Sequence, residues 1–163
     1  MAKGFTAVFK TKLTDTWTTA SDGEPVGTVR HDGNKTYLCV QYDDAGVAAA
    51  ANKACYYGLG DFVNFKVTSD ISDAEGSSGA KAIAAGVLQA AITDQDYGWI
   101  QVGGVATITT DAAAGAAGDV VTAVGANDGG LDVIAADIAV PCGILLDTST
   151  GAQVYYLDCP FNH

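Results

Sequence analysis

The stretch whose reading decides the fold is "DYGWIQVGGVATITT", residues 96–110. With a two-residue period, Tyr97, Trp99 and Gln101 face one side of a strand, and Ile100 and Val102 the other. Glycine inside a strand weakens it and marks a bulge, a bend or a close backbone approach. After Gly103-Gly104 the alternation is expected to start afresh, with Val105, Thr107 and Thr109 set against Ala106, Ile108 and Thr110. That pattern predicts a strand bending around a small, tightly curved barrel. Two places are open for Trp99. Either it fills the barrel while its indole N–H reaches a backbone acceptor, or it lies at a subunit contact.

Working outward, 163 residues suffice for one domain with a core. Val and Ile number 24 against 8 Leu, which favours strands. The alanine run near Val47 to Ala54 lacks the apolar spacing of a core-facing helix. "GTVRHDGNKTYLCVQYDD" reads as a strand, an Asp32-Gly33 turn and a second strand from Thr36 to Tyr42. "ACYYGLGDFVNFKVTSDI" reads as a strand pair around Gly58-Leu59-Gly60, and "SDAEGSSGAK" as a loop. "AIAAGVLQAAIT" is a strand leading through a turn at Thr93 to Asp96. Further strands are expected near Val120 to Val124 and in "GANDGGLDVIAA". "AVPCGILLDTSTGAQVYYLDCPF" closes the chain as a hairpin. The expectation is an all-β barrel or sandwich of nine or ten short strands. The hairpin stretches beginning at Gly86 and Gly143 align at an offset of 57, setting Leu88 on Leu145 and Trp99 on Tyr156. Tyr97, Trp99 and Tyr156 are therefore candidates for barrel core or subunit contact.

Residues 1–25 read as an extended N-terminal arm and linker, and 26–163 as the barrel body. Phe5, Ala7, Phe9 and Leu13 alternate with lysines and threonines, while Trp17 stands in the polar loop "TDTWTTASDGEP". Such a Trp either tucks back onto the body or anchors a partner. Charge is uneven along the chain. All eight Lys and Arg lie at or before Lys81, whereas Ala82 to His163 carry nine aspartates and no cation. Lys3, Lys10 and Lys12 make the start of the arm basic. Binding nucleic acid requires cations that displace phosphate counterions, and the acidic body lacks them. No direct contact with nucleic acid is expected. The start "MAKGFTAVFKTKL" has no continuous apolar region, and nothing resembles a membrane span, so use without secretion or membrane attachment is expected.

Cys39, Cys55, Cys142 and Cys159 show no paired metal spacing. They read as buried thiols or a disulfide framework, with free thiols the expectation. "GSSGAK" lacks the Gly-Lys-Ser/Thr ending of a phosphate loop, and there is no GxSxG elbow. His31, within "RHDGN", reads as a turn residue. "NDGGLD" has the wrong spacing for a calcium loop. Asp43-Asp44 and Asp94/Asp96 are carboxylate pairs that flank turns, with no sugar platform around them in sequence. No nucleophile, base and orienter can be assembled, so the chain reads as a non-enzyme with no cofactor and no metal.

"YLCVQYDD", "KVTSD", "AAGVLQAAITDQDYGWIQVGG", "AAGDVV", "CGILLDT" and "VYYLDCP" resemble segments of tailed-bacteriophage capsid decoration proteins, also called cement or head-stabilising proteins. The resemblance spans roughly Tyr37 to Pro160 and leaves the first 36 residues unmatched. It implies a β-barrel that binds the outside of an assembled capsid, commonly as a homotrimer, with the major capsid protein as partner. The implied location is the virion exterior, after assembly in the host cytoplasm. Within that picture Lys3, Phe5, Phe9, Lys10, Lys12 and Trp17 are candidate contacts of the arm with the shell or a neighbouring copy, through added strand pairing. Deleting residues 1–20 is then expected to leave the body folded. Two other classes remain: a different virion part, such as a head-fibre base or tail protein, and a carbohydrate-binding or adhesion domain.

Overall fold

The computed structural model describes residues 8–58, 64–75, 82–109, 115–123, 127–134, 140–148 and 152–159. In chain order these form β1 (Val29–Asp32), β2 (Lys35–Tyr42), β3 (Ala54–Tyr57), β4 (Lys66–Val67), α1 (Ile71–Glu75), β5 (Ile83–Leu88), β6 (Tyr97–Ile108), β7 (Val120–Thr122), β8 (Asp132–Val133), β9 (Gly143–Asp147) and β10 (Gln153–Asp158). All ten strands join one sheet, ordered β1-β2-β6-β10-β9-β7-β8, with β5 on β6, β3 on β5 and β4 on β2. The all-β expectation holds. The sheet is barrel-like but not closed; among the described residues β1 pairs only with β2, and β8 only with β7.

β6 is the hub. Its first half pairs with β2 and touches β5, and from Gly103 onward it pairs with β10. The handover falls on the two glycines. Thr36 pairs with Gly103 and Tyr37 with Gln101, so Val102 is an extra residue, a β-bulge that bends the strand. Gly104 has φ 83°, and a Cβ there would stand 2.5 Å from the Asn34 carbonyl oxygen. Backbone conformation and space both require glycine. The alternation nevertheless runs through the bend. Ile100, Val102, Ala106 and Ile108 all enter one core with Leu38, Val40, Tyr42, Leu145, Tyr155 and Leu157. The even-numbered side chains from Ile100 to Ile108 face the core on both sides of the bend.

Buried tyrosines keep their hydroxyls satisfied, as they must. Tyr56 donates to the Asn127 and Gly130 carbonyls, and Tyr42 bonds Asp44 and Ser69. Three sequence expectations need correction. The β1–β2 turn is Gly33-Asn34, since Asp32 still pairs with Lys35; Gly33 takes φ 60°, the left-handed value that the first residue of a two-residue hairpin loop favours. β3 and β4 do not form a hairpin. β3 pairs with β5 and β4 runs parallel to β2, joined to β3 only by a Tyr56–Thr68 bridge. The stretch read as a loop opens with α1, capped by Asp70, whose carboxylate accepts the Ser72 and Asp73 N–H groups at 2.8 and 3.2 Å. No described helix is long and apolar enough to cross a membrane.

Candidate interaction surface

The outer face of β6, its odd positions, is covered in one half and bare in the other. Over Tyr97 and Trp99 lies a strap formed by residues 8–25. Trp17 exchanges backbone hydrogen bonds with Tyr97 at 3.1 and 2.8 Å and stacks on its ring, centroids 6.4 Å apart. Phe9 meets Trp99 edge to face at 5.9 Å, and the Arg30 guanidinium caps Phe9 at 4.9 Å. Trp17, Tyr37, Cys39 and Trp99 form a second buried cluster, flanked by Phe9, Leu13 and Tyr97. Gly23 lies flat against Trp17; a Cβ there would stand 2.2 Å from the indole Cε2.

Glu24 ties the strap down. Its buried carboxylate accepts the Lys10 and Thr11 N–H groups and the Thr11 hydroxyl, which itself accepts the Trp99 indole N–H at 3.0 Å. Burial pushes the Glu24 carboxyl up, but the hydrogen bonds from Thr11 and Lys10 outweigh it and hold it below the ordinary value. Trp99 is thus buried, but in this second cluster and not in the barrel core, and its N–H reaches a side-chain hydroxyl in place of the expected backbone acceptor.

Beyond Gly103 the face is open. Val105 is the register partner of Tyr156, Tyr156 of Ile144, and Ile144 of Val120. These four side chains therefore line up across β6, β10, β9 and β7, with exposures of 38, 50, 42 and 42%. Val120, Ile144 and Tyr156, with Pro141, Gly143 and Asp158, line a shallow groove of about 410 Å³. Single exposed apolar residues are ordinary; a contiguous row across four strands makes this face the candidate interaction surface.

Of the residues singled out from sequence, Lys3 and Phe5 lie outside the described residues. Phe9 and Trp17 pack on the body, Lys10 and Lys12 are exposed on the strap, and Tyr97 is half-buried beneath Trp17. Removing residues 1–20 would uncover Tyr97 and Trp99, so the arm is not separable from the body at that point. Tyr156 lies in the bare row. Val105, Val120 and Ile144 carry no signal as sequence neighbours, because only the strand register brings them together.

The acidic residues have structural partners. Asp44, Asp70 and Asp73 place carboxylate oxygens within 4.8 Å of one another, the one such group among the described residues that could hold a metal ion. Asp44, however, accepts from Tyr42 and Ser69, and Asp70 caps α1. The Asp43-Asp44 turn packs on the other pair's turn, with the Asp44 N–H donating to Asp94 at 2.7 Å. Asp43 meets Lys66 at 2.7 Å. His31 Nδ1 lies 3.2 Å from the Thr36 hydroxyl. All four cysteines are buried, and none is in a disulfide. Burial, with the Glu24 charge second, pushes the Cys39 thiol up to about 12, and burial takes Cys142 to about 12. Thiolates are suppressed there, and with them reactivity.

Comparison of the chain with family models, curated proteins and solved structures finds no match.

Proposed function

We propose that this chain is a structural virion protein that binds the outside of an assembled phage capsid and stabilises it. The partner is the major capsid protein and the working unit a homotrimer. The observation that carries the reading is the bare apolar row Val105–Tyr156–Ile144–Val120, a rigid sheet surface suited to docking a protein. The phage-like segments quoted above support a capsid protein as that partner. The acidic half of the chain, without a cation after Lys81, argues for a protein surface as partner and against phosphate backbones. In this reading the leading residues, with Lys3 and Phe5, touch the shell or a neighbouring copy.

Cryo-electron microscopy of the tailed-phage particle whose genome encodes the chain tests the reading. Density for this sheet on the outer shell is expected, and heads lacking the protein should rupture at lower temperature. Mature heads without such density, or density confined to the tail, would overturn it.

A further inference from the structure

We propose that the groove beside Asp158 takes an arginine side chain from a partner protein, the guanidinium lying on the Tyr156 ring and pairing with the Asp158 carboxylate. The inference deepens the proposed function and rests on it for the partner, a shell protein that presents an arginine between apolar residues. Tyr156 and Asp158 are two positions apart on β10, so both side chains leave the same face of the strand, about 7 Å apart along it. Val120, Ile144 and Pro141 give the groove apolar walls. Among the described residues no hydrogen bond or ion pair engages the Tyr156 hydroxyl or the Asp158 carboxylate. From residue 115 onward every described charged side chain is an aspartate. Lys35, the nearest cation in register, stands on β2 with β6 between it and β10, and makes no ion pair with Asp158.

That combination selects a ligand. A purely apolar occupant would fill the groove but leave a desolvated, unpaired carboxylate beneath it, and an anion would be repelled. A cation pairs with the carboxylate and is drawn to the face of the ring. Arginine meets every part of the site at once. Its planar guanidinium stacks on an aromatic ring while its N–H fork meets a carboxylate, and its stem lies along apolar walls. The covered half of the face already holds such a pairing, made by the chain itself, where Arg30 caps Phe9 at 4.9 Å. Arg30 is the chain's single arginine, and it also donates to the Thr11 carbonyl at 3.3 Å. A second copy has no other arginine to offer, so the occupant is a different protein.

The experiment follows the full chain by NMR while acetyl-valyl-arginyl-valinamide is added, beside its lysine and citrulline counterparts. The arginine peptide should move the Ile144 methyl and Tyr156 ring signals along a saturating curve at millimolar concentration, and less tightly as salt is added. The lysine peptide should bind roughly threefold more weakly, and the citrulline peptide, similar in shape but uncharged, roughly fivefold more weakly. Asp158→Asn should abolish the preference for arginine over citrulline, and Tyr156→Leu the preference for arginine over lysine. Both positions are exposed, so each variant should melt as wild type does; where Tyr156→Leu does not, Tyr156→Thr replaces it with the same outcomes. Equal binding of the three peptides, signal changes centred away from the groove, or no saturation with the arginine peptide would overturn the inference. Phage heads on which this groove faces solvent, or faces a shell residue other than arginine, would sink it and leave the capsid reading standing. Selective arginine binding by a chain that no head carries would keep the groove's ligand and sink the capsid reading.

Discussion

Trp99 and Tyr156 lie on the same outer face of one sheet and meet opposite fates. Trp99 is 1% exposed beneath the strap, and Tyr156 is 50% exposed, with no described residue strapped over it. Neither the strand nor the residue type makes the difference, since both are large aromatics on long antiparallel strands. What differs is the cover. The described residues include one strap, and Trp17, Phe9 and Glu24 commit it to the Tyr97 end of β6. The comparison teaches that an outward aromatic on this sheet is stable once a second layer arrives, and that the layer need not be a strand. On the other half no described residue supplies that layer.

The most severe way to break the comparison is to truncate each aromatic in turn. Trp99→Ala should cost about 3–5 kcal/mol in denaturant unfolding, the range for a fully buried aromatic. Equal losses at Trp99 and Tyr156 would end the distinction. Gly23→Ala drives a methyl into the Trp17 ring and should cost roughly 1–3 kcal/mol as an overpacked contact. It should also raise the solvent exposure of tryptophan fluorescence before global unfolding, whereas a silent substitution would mean that the strap does not press on its anchor.

Glu24→Gln sharpens the point further, at about 1–2 kcal/mol for a charge-assisted acceptor replaced by a neutral one. Its pH dependence has a fixed sign. The folded carboxyl lies below the ordinary 4.5, so its contribution is complete above that value and is lost as pH falls through the lower folded one. The gap between wild type and variant in melting experiments should therefore be constant near neutrality and close on acidification. Cys39, beneath the strap, should react with a thiol reagent faster in the variant, while Cys55 should not. Tyr156→Ala is the mildest change, under about 1 kcal/mol for a half-exposed side chain away from special contacts.

Strands with clean alternation were legible from the residues alone, as at β2, β6, β9 and β10. The sequence reading fails where pairing is non-local. β4 and β8 fall within stretches read as strands, but with two residues each they exist only because a neighbour holds them, and that neighbour was not legible. The parallel β2–β4 pairing leaves no local trace. α1 had its sign in Asp70, an N-cap before "ISDAE", but the glycines and serines that follow masked it. The strap was half legible. Trp17 had two readings in a polar loop, and its bridge to Tyr97 spans 80 residues, beyond the reach of any periodicity. The bare row was invisible for the same reason, since its members join only through the register of four strands.

One detail of the strap bears on how the molecule breathes. The Trp17 indole N–H is buried and meets no acceptor among the described residues. A donor stranded in that way costs about 1–3 kcal/mol, which offsets part of what burying the ring gains. That cost makes the strap easier to lift off the sheet than its other contacts alone would allow. In deuterated water the Trp17 and Tyr97 amides, which close the bridge between strap and sheet, should exchange ahead of those linking β6 to β2. Detachment and re-seating of this segment would be a quick, reversible event, giving the protein two surfaces to present in place of one.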